Sequence, residues 1–180
     1  MYKRQTQGSI NRSVGGLLAV ARPGFDRVTL ESGGDLRFLL QNDSEPRTRL
    51  WTRGDLDLIA AQLYPVTGAE AEVLAGYTRN PVSGVNVFDP TRMLRVARSG
   101  GVTAPLPAVP YSAFGSLRLA ATNVEQGGVV RAPLGAIVLG DVSSALGSQR
   151  LTLLPGSVTS VSGAGLLMPY GGTTAVSYTH

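Results

Sequence analysis

A short motif of glycine, one further residue and then leucine or isoleucine recurs along the chain at a regular interval. Gly115-Ser116-Leu117-Arg118-Leu119 returns as Gly135-Ala136-Ile137-Val138-Leu139, and Gly34-Asp35-Leu36 returns as Gly54-Asp55-Leu56 at the same interval. A weaker copy begins at Gly156. Apolar residues alternate with polar ones in several copies, as in a strand with one buried face. A period of about 20 residues made of such strands is typical of a β-solenoid.

This repeat predicts an all-β fold, a right-handed parallel β-helix with coils of about 20 residues, because one coil cannot bury its apolar side alone. Stacking would place Leu36 over Leu56 and Leu117 over Ile137, with strands of successive coils paired in parallel about 4.8 Å apart. Leu117 and Leu119 would point inward, and the residues between the inward positions would point outward.

Alternating residues bounded by Gly, Pro or Asn predict further short strands along the chain. Within 70–75, Leu74 is expected on the outward face. Residues 7–24 fit either a buried strand or a short helix, and Gly15-Gly16 with Pro23 favours strand and turn. Residues 41–47 are polar and turn-forming residues dominate 78–90, so both segments are predicted to be turns or loops. The predicted strands are residues 27–30, 36–40, 50–51 (as the end of a strand), 56–60, 70–75, 93–97, 117–119, 129–132, 137–139, 151–154 and 165–168.

Residues 99–111 contain three prolines, Pro105, Pro107 and Pro110, whose nitrogens cannot donate hydrogen bonds to a neighbouring strand. We therefore expect this Pro/Gly-rich segment to leave the wall of the solenoid as an extended excursion. No domain boundary is visible, and residues 6–175 are expected to form a single β-helix segment.

The two ends of the chain resemble the peptide produced when a sequencing-library adaptor is translated by mistake. We expect residues 1–5 and 176–180 to be extensions of that kind and not part of the natural protein. Without Lys3 and Arg4, 14 basic residues remain against 12 acidic ones, and His180 is the only histidine. The net charge of +4 therefore overstates the basic character of the remaining chain.

Composition narrows the class of protein. The 180 residues include 23 Gly and 11 Pro but only 16% charged residues, which favours an elongated β-protein over a charged helical bundle. No apolar run reaches the roughly 18 residues of a membrane-spanning helix. The chain has no cysteine, as is common in large secreted bacterial β-solenoids. Its arginines are scattered and do not form the stripe that nucleic-acid binding requires.

Several motifs between residues 54 and 174 resemble the filamentous haemagglutinin family, in the region beyond the haemagglutinin repeats. The motifs that carry this resemblance are Ala61-Gln62-Leu63-Tyr64-Pro65 with Thr67-Gly68, Glu125-Gln126-Gly127-Gly128, Arg131-Ala132-Pro133-Leu134-Gly135, Leu153-Leu154-Pro155-Gly156-Ser157 and Pro169-Tyr170-Gly171-Gly172.

The resemblance implies a stalk segment of a very long adhesin that is secreted to the bacterial cell surface by the two-partner pathway. It implies an outer-membrane transporter as a partner, acting on regions absent here, and a host-cell receptor or glycan as a target. It implies neither catalytic residues nor a cofactor in this segment.

One recognition motif stands out. Arg53, Gly54 and Asp55 form an RGD sequence, followed by Leu56 and Ile59 in the pattern of some integrin ligands. These three residues are the candidate receptor contact. The alternative is structural, since Gly54-Asp55-Leu56 matches the repeat and Asp55 would then begin a strand.

Two carboxylate pairs raise the possibility of a β-helix carbohydrate-active enzyme, either a lyase or a hydrolase. The residues of each pair, Asp55 with Asp57 and Glu70 with Glu72, lie two positions apart and so share one face of a strand. A solvated outer face explains them equally, and no cluster of three aspartates accompanies them. The chain has no cysteine, and its single histidine, His180, lies in the suspected terminal extension, so no nucleophile–base pair or soft metal site is expected. We therefore expect neither catalysis nor a metal.

Overall fold

The computed structural model describes residues 24–40, 47–79, 86–141 and 147–167, which contain strands, turns and loops but no helix. The predicted all-β class is confirmed for these residues. Expectations for residues 1–23, 41–46, 80–85 and 168–180 lie outside them, including those for both terminal extensions. Within the described ranges, no helix exists that is long and apolar enough to span a membrane.

The described residues form fifteen short strands. They are β1 (Arg27–Glu31), β2 (Leu36–Phe38), β3 (Arg47–Trp51), β4 (Asp55–Ala60), β5 (Leu63–Pro65), β6 (Glu70–Leu74), β7 (Tyr77–Arg79), β8 (Asn86–Phe88), β9 (Met93–Arg98), β10 (Ser116–Ala120), β11 (Asn123–Gly127), β12 (Val129–Arg131), β13 (Ala136–Leu139), β14 (Arg150–Leu153) and β15 (Val158–Ser160).

Three parallel sheets account for all of these strands except the antiparallel hairpin β7–β8. Sheet A has the strand order β1-β4-β9-β11-β14, sheet B the order β2-β5-β12-β15, and sheet C the order β3-β6-β10-β13. The chain visits A, B and C in that order and then returns to A, so each circuit adds one strand to each sheet. The third circuit is the exception, because it runs from β9 in sheet A to β10 in sheet C without a strand in sheet B.

The predicted stacking of the two clearest repeats is confirmed. β10 pairs with β13 in parallel, and Leu117 lies opposite Ile137 of the next repeat. Leu117 and Leu119 are 1% and 0% exposed, so both point into the core. The alternation predicted for residues 56–60 is confirmed too, because Leu56 and Leu58 are fully buried.

The predicted stacking of Leu36 over Leu56 is wrong. Leu36 lies opposite Leu63 in sheet B, whereas Leu56 lies opposite Val28 and Leu94 in sheet A. Both Gly-Asp-Leu motifs begin strands, but they begin strands of different sheets.

The predicted coil length of about 20 residues is also wrong for most of the stack. The weaker copy at Gly156 does not follow the repeat, because Val158 pairs with Val129 in sheet B and not with a strand of sheet C. Leu56 and Leu94 are separated by nearly twice the repeat interval because the hairpin of β7 and β8 is inserted between them. Insertions of this kind lengthen individual circuits without disturbing the parallel pairing.

The core is a column of aliphatic side chains enclosed by the three sheets. All three sheets contribute fully buried residues to this column. They are Leu58 and Val96 from sheet A, Leu63 and Val130 from sheet B, and Leu119 from sheet C. Each buried aliphatic side chain contributes about 1.5–3 kcal/mol relative to exposure. Stacking is therefore the main source of stability for strands that are each too short to be stable alone.

Leu74 lies on the outward face of β6, as predicted, because its neighbour Val73 points into the core, but it is only 4% exposed since it packs with Tyr77, Phe88 and Ala120 in a second, smaller cluster. Three other local features differ from the sequence expectations. The turn-rich stretch after residue 77 contains the hairpin strands β7 and β8. Residues 123–127 form β11, which is not among the predicted strands. Residues 165–167 are not in a strand.

Candidate functional site: the strap and the outer faces of the sheets

The most unusual feature of the described fold is the segment that replaces a strand of sheet B in the third circuit. We call residues 99–115 the strap. It contains no strand, follows β9, ends where β10 begins and includes the proline-rich residues 99–111. β5 consequently pairs directly with β12, with Leu63 opposite Val130.

The strap covers the outer face of sheet B. Gln62 and Tyr64 flank the inward residue Leu63, and Arg131 follows the inward residue Val130, so all three point outward. Their exposed fractions are nevertheless only 3%, 9% and 8%. A face that would otherwise be in water is therefore closed over by the strap.

Arg131 holds the centre of the strap. Its Nη1 atom donates to the carbonyl oxygens of Pro107 at 2.7 Å and Ala108 at 2.9 Å, and to Oε1 of Gln62 at 2.9 Å. Nε2 of Gln62 also donates to Ala108 O at 3.1 Å and to Oδ2 of Asp35 at 3.2 Å. These side-chain hydrogen bonds satisfy carbonyl groups of the strap that have no partner in a neighbouring strand.

Both ends of the strap are also fixed by hydrogen bonds between a side chain and backbone carbonyl groups. Arg98, which is 8% exposed, donates from Nη1 to the carbonyl oxygens of Val102 at 3.1 Å and Ala104 at 2.8 Å. Near the other end, Oγ of Ser112 donates to Pro65 O at 2.7 Å. Arginine suits this role because its guanidinium group donates several hydrogen bonds from one fixed plane.

Burial alters the titration of groups under the strap. Burial raises the pKa of Tyr64, and the negative charge of Asp35 adds to that rise. Burial also lowers the pKa of Arg131, while the charge of Asp35 opposes that effect. Tyr64 is therefore kept in its neutral form, in keeping with a structural role under the strap.

Sequence reasoning identified the strap but missed its anchors. Gln62, Tyr64 and Arg131 belong to motifs quoted above for the family resemblance, and Arg98 directly precedes the strap. The available signal was an arginine at a strand end beside a proline-rich excursion, since such a segment needs donors for its carbonyl groups.

The Glu125-Gln126-Gly127-Gly128 motif has a structural explanation of the same kind. Gln126 is fully buried at an inward position, where Oε1 accepts from Gly128 N at 2.7 Å. Its Nε2 donates to Val158 O at 3.0 Å and to Oγ1 of Thr159 at 3.1 Å. A Cβ atom on Gly128 would lie 2.8 Å from Cγ1 of Val96, so the close approach requires glycine. The motif joins one circuit to the next.

The candidate receptor contact lies at the corner between β3 and β4. Arg53 is exposed, but Gly54 is buried, and a Cβ atom on Gly54 would lie 2.1 Å from Asp26 O. Oδ1 of Asp55 accepts a hydrogen bond from Met93 N at 3.0 Å. The RGD sequence thus forms part of the wall, with its carboxylate bonded to the backbone of the next circuit.

The carboxylate pairs lie on the outer faces of sheets A and C, where arginines of neighbouring strands form ion pairs with Asp57, Glu70 and Glu72. In sheet A, Asp57 accepts from Nε of Arg27 at 2.8 Å, and Glu125 pairs with Arg95 at 2.9 Å. These pairs are exposed enough that each contributes about 0–1 kcal/mol. Because they bring opposite charges on neighbouring strands together, these ion pairs favour the observed register.

Sheet C has a shallow groove on its outer face, with a volume of about 320 Å³. Its polar lining includes Glu70 and Glu72 with Arg47 and Arg118. Glu70 pairs with Arg47 at 2.9 Å, and Glu72 lies 3.5 Å from Arg118 and accepts from Nε1 of Trp51 at 3.0 Å. Both carboxylates therefore have cationic partners. No group of three or more potential metal-ligating His, Cys, Asp or Glu side chains occurs in the part of the chain that the structure describes.

Comparison with known proteins identified no relative of the chain. No protein-family model, no curated protein and no solved structure matches the chain. The function must therefore be argued from the residues and the fold themselves.

Proposed function

We propose that the chain is a segment of a right-handed parallel β-helix that serves as a structural stalk in a large secreted adhesin similar to the filamentous haemagglutinin family. One observation carries this proposal. The chain visits three parallel sheets in a fixed order, and apolar inward positions face apolar inward positions of the next circuit, as Leu56 faces Leu94. Right-handedness follows from the general rule for crossovers between parallel strands, about 98% of which are right-handed.

Such a stalk acts mechanically, as a stiff spacer built from stacked circuits. Each circuit adds about 4.8 Å along the stacking axis, so the five strands of sheet A span roughly 19 Å between the first and last. Buried leucines, the Gln126 hydrogen bonds and the outer ion pairs all link one circuit to the next. A stack built in this way holds attached regions at a distance from the cell and offers a long wall for weak multivalent contacts.

An antibody raised against the chain tests this proposal on the cells that produce it. In immunogold electron microscopy, a stalk predicts label along fibres that project from the bacterial surface. Label confined to the cytoplasm would contradict both the proposed secretion and the proposed role.

Direct receptor binding through Arg53, Gly54 and Asp55 is a second proposal that the geometry supports less well. An integrin-type contact would require the Asp55 carboxylate to exchange its bond from Met93 N for a receptor group. Cell attachment to the immobilised chain, compared with Asp55→Glu, tests it. Integrin-dependent attachment that the substitution abolishes would establish the contact, and equal attachment would exclude it.

Carbohydrate hydrolysis or lysis is the weaker alternative. The groove on sheet C supports it, but Glu70 and Glu72 are each engaged in an ion pair with an arginine and are not free to contact a sugar. Release of sugar ends from polysaccharides by the purified chain, lost in Glu70→Gln, would favour the enzyme over the stalk.

A further inference from the structure

Three successive circuits make the same left-handed turn at the corner between sheets B and C. The residues with positive φ are Gly68 at 71°, Phe114 at 60° and Leu134 at 53°. Backbone hydrogen bonds join these corners in sequence, because Gly68 N donates to Ala113 O and Phe114 N donates to Pro133 O, each at 3.1 Å. The corner therefore requires a left-handed residue, and two of the three positions are not glycine.

Phe114 and Leu134 are poor choices for this backbone conformation. The left-handed region is unfavourable for any residue with a Cβ atom, and glycine, as at position 68, adopts it freely. Burial within the fold does not compensate fully, because Phe114 is 63% exposed and Leu134 is 47% exposed. Strain that is retained to hold large apolar side chains at the surface points to a surface that binds something.

These two side chains belong to a group of exposed apolar side chains near this corner, which we call the corner patch. Leu134 N donates to Val161 O at 2.9 Å, which brings Val161 beside Leu134, and the hydroxyl of Tyr111 donates to Leu167 O at 2.9 Å. The patch consists of Tyr111, Phe114, Leu134, Val161 and Leu167, which are between 47% and 85% exposed.

The corner patch has no charge within it or along the segments that form it. Residues 99–117, 132–140 and 151–167 contain no Asp, Glu, Lys or Arg, although the whole chain has 16 basic and 12 acidic residues. The outer faces of sheets A and C carry arginines and carboxylates, whereas the corner patch carries neither, so two copies of the chain can meet at this corner without placing like charges against each other.

We propose that the corner patch is an interface that takes a second copy of this chain, side by side, in a two-fold arrangement that places the patch of each copy against that of the other. The five exposed side chains offer on the order of 500 Å² per copy. Two copies would bury about 1,000 Å², the lower limit of a specific interface, which corresponds to a weak and concentration-dependent dimer. This inference goes beyond the proposed stalk function and does not depend on it.

Sedimentation velocity over a wide range of protein concentration tests the proposal. The chain should pass reversibly from monomer to dimer, and the double variant Phe114→Gly/Leu134→Gly should raise the dissociation constant at least about tenfold. Because glycine relieves the left-handed strain, the urea midpoint of the same variant should stay equal or rise. A purely structural role for the two side chains would lower that midpoint.

A matched control and a second variant keep the test decisive. Leu153→Ser changes another exposed leucine, 58% exposed at the last strand of sheet A, and should leave the dimer intact. Phe114→Asn/Leu134→Asn should weaken the dimer as the glycine variant does, because asparagine also tolerates the left-handed region. A parent chain that stays monomeric at every concentration overturns the proposal. So does a dimer that survives both patch variants or that Leu153→Ser abolishes.

Discussion

Replacing Arg131 by methionine should release the strap from sheet B. Methionine keeps most of the apolar stem but removes the guanidinium group that donates to Pro107 O, Ala108 O and Gln62 Oε1. Ala108 O keeps a bond from Gln62 Nε2, so Pro107 O and Gln62 Oε1 are the acceptors that lose a donor. Gln62 is 3% exposed, so its unsatisfied Oε1 costs about 1–3 kcal/mol, whereas Pro107 is only partly buried and its carbonyl oxygen can accept from water.

We expect Arg131→Met to lower the free energy of unfolding by about 1–3 kcal/mol, the cost of leaving the buried Gln62 Oε1 without a donor. Urea unfolding followed by circular dichroism measures that change. Limited proteolysis should show faster cleavage within the strap, because its central carbonyl groups would exchange their anchor for water.

Arg95→Met is the matched control. Arg95 pairs with Glu125 at 2.9 Å, but its side chain is 50% exposed, and removing an exposed pair costs no more than about 1 kcal/mol. If Arg131→Met costs no more than Arg95→Met and strap cleavage is unchanged, the strap is not held by its arginine and the reasoning fails.

Three further predictions follow from single residues. Leu119→Ala should cost about 2–5 kcal/mol in urea unfolding, because Leu119 is fully buried in the central column; a much smaller loss would place it outside the core. Gly135→Ala should cost about 3 kcal/mol, because its Cβ atom would lie 1.9 Å from Gly115 O, whereas Gly33→Ala has open space and should be nearly neutral. Because the pKa of Tyr64 is raised in the fold, its contribution is complete below the unfolded pKa of about 10 and is lost as pH rises through the higher folded pKa. Unfolding free energy should therefore fall at pH values above that unfolded pKa, and less steeply in Tyr64→Phe; equal slopes would contradict the assignment.

The sequence was most informative where the repeat interval equals the distance in sequence between paired strands. The segment from Leu117 to Ile137 contains one complete circuit without an insertion, so the repeat interval equals the true register there. The alternation of Leu56 and Leu58 with polar residues likewise gave the buried face correctly, because alternation depends only on the geometry of the strand itself.

The sequence was misleading where the same local signal begins strands of different sheets. A Gly-Asp-Leu motif shows that a strand starts, but it does not show which sheet the strand joins, so Leu36 and Leu56 were paired wrongly. β11 was missed because its inward position is occupied by Gln126, a polar residue that is satisfied by hydrogen bonds to Gly128 and to Val158 and Thr159 of the next circuit. The anchors of the strap were missed for the same reason, since the partners of Arg131 are distant from it in sequence.

Engineered cysteine pairs test the stacked register most directly, since the chain has no cysteine of its own. Asp57 and Arg95 lie directly opposite each other in sheet A, although nearly twice the repeat interval separates them in sequence. Arg37 and Asp57 are separated by the repeat interval itself but belong to sheets B and A. Neighbouring parallel strands lie about 4.8 Å apart, within the reach of a disulfide. Mild oxidation of Asp57→Cys/Arg95→Cys should therefore give a disulfide-bonded monomer, whereas Arg37→Cys/Asp57→Cys should not. The reverse outcome would contradict the register on which this account of the fold depends.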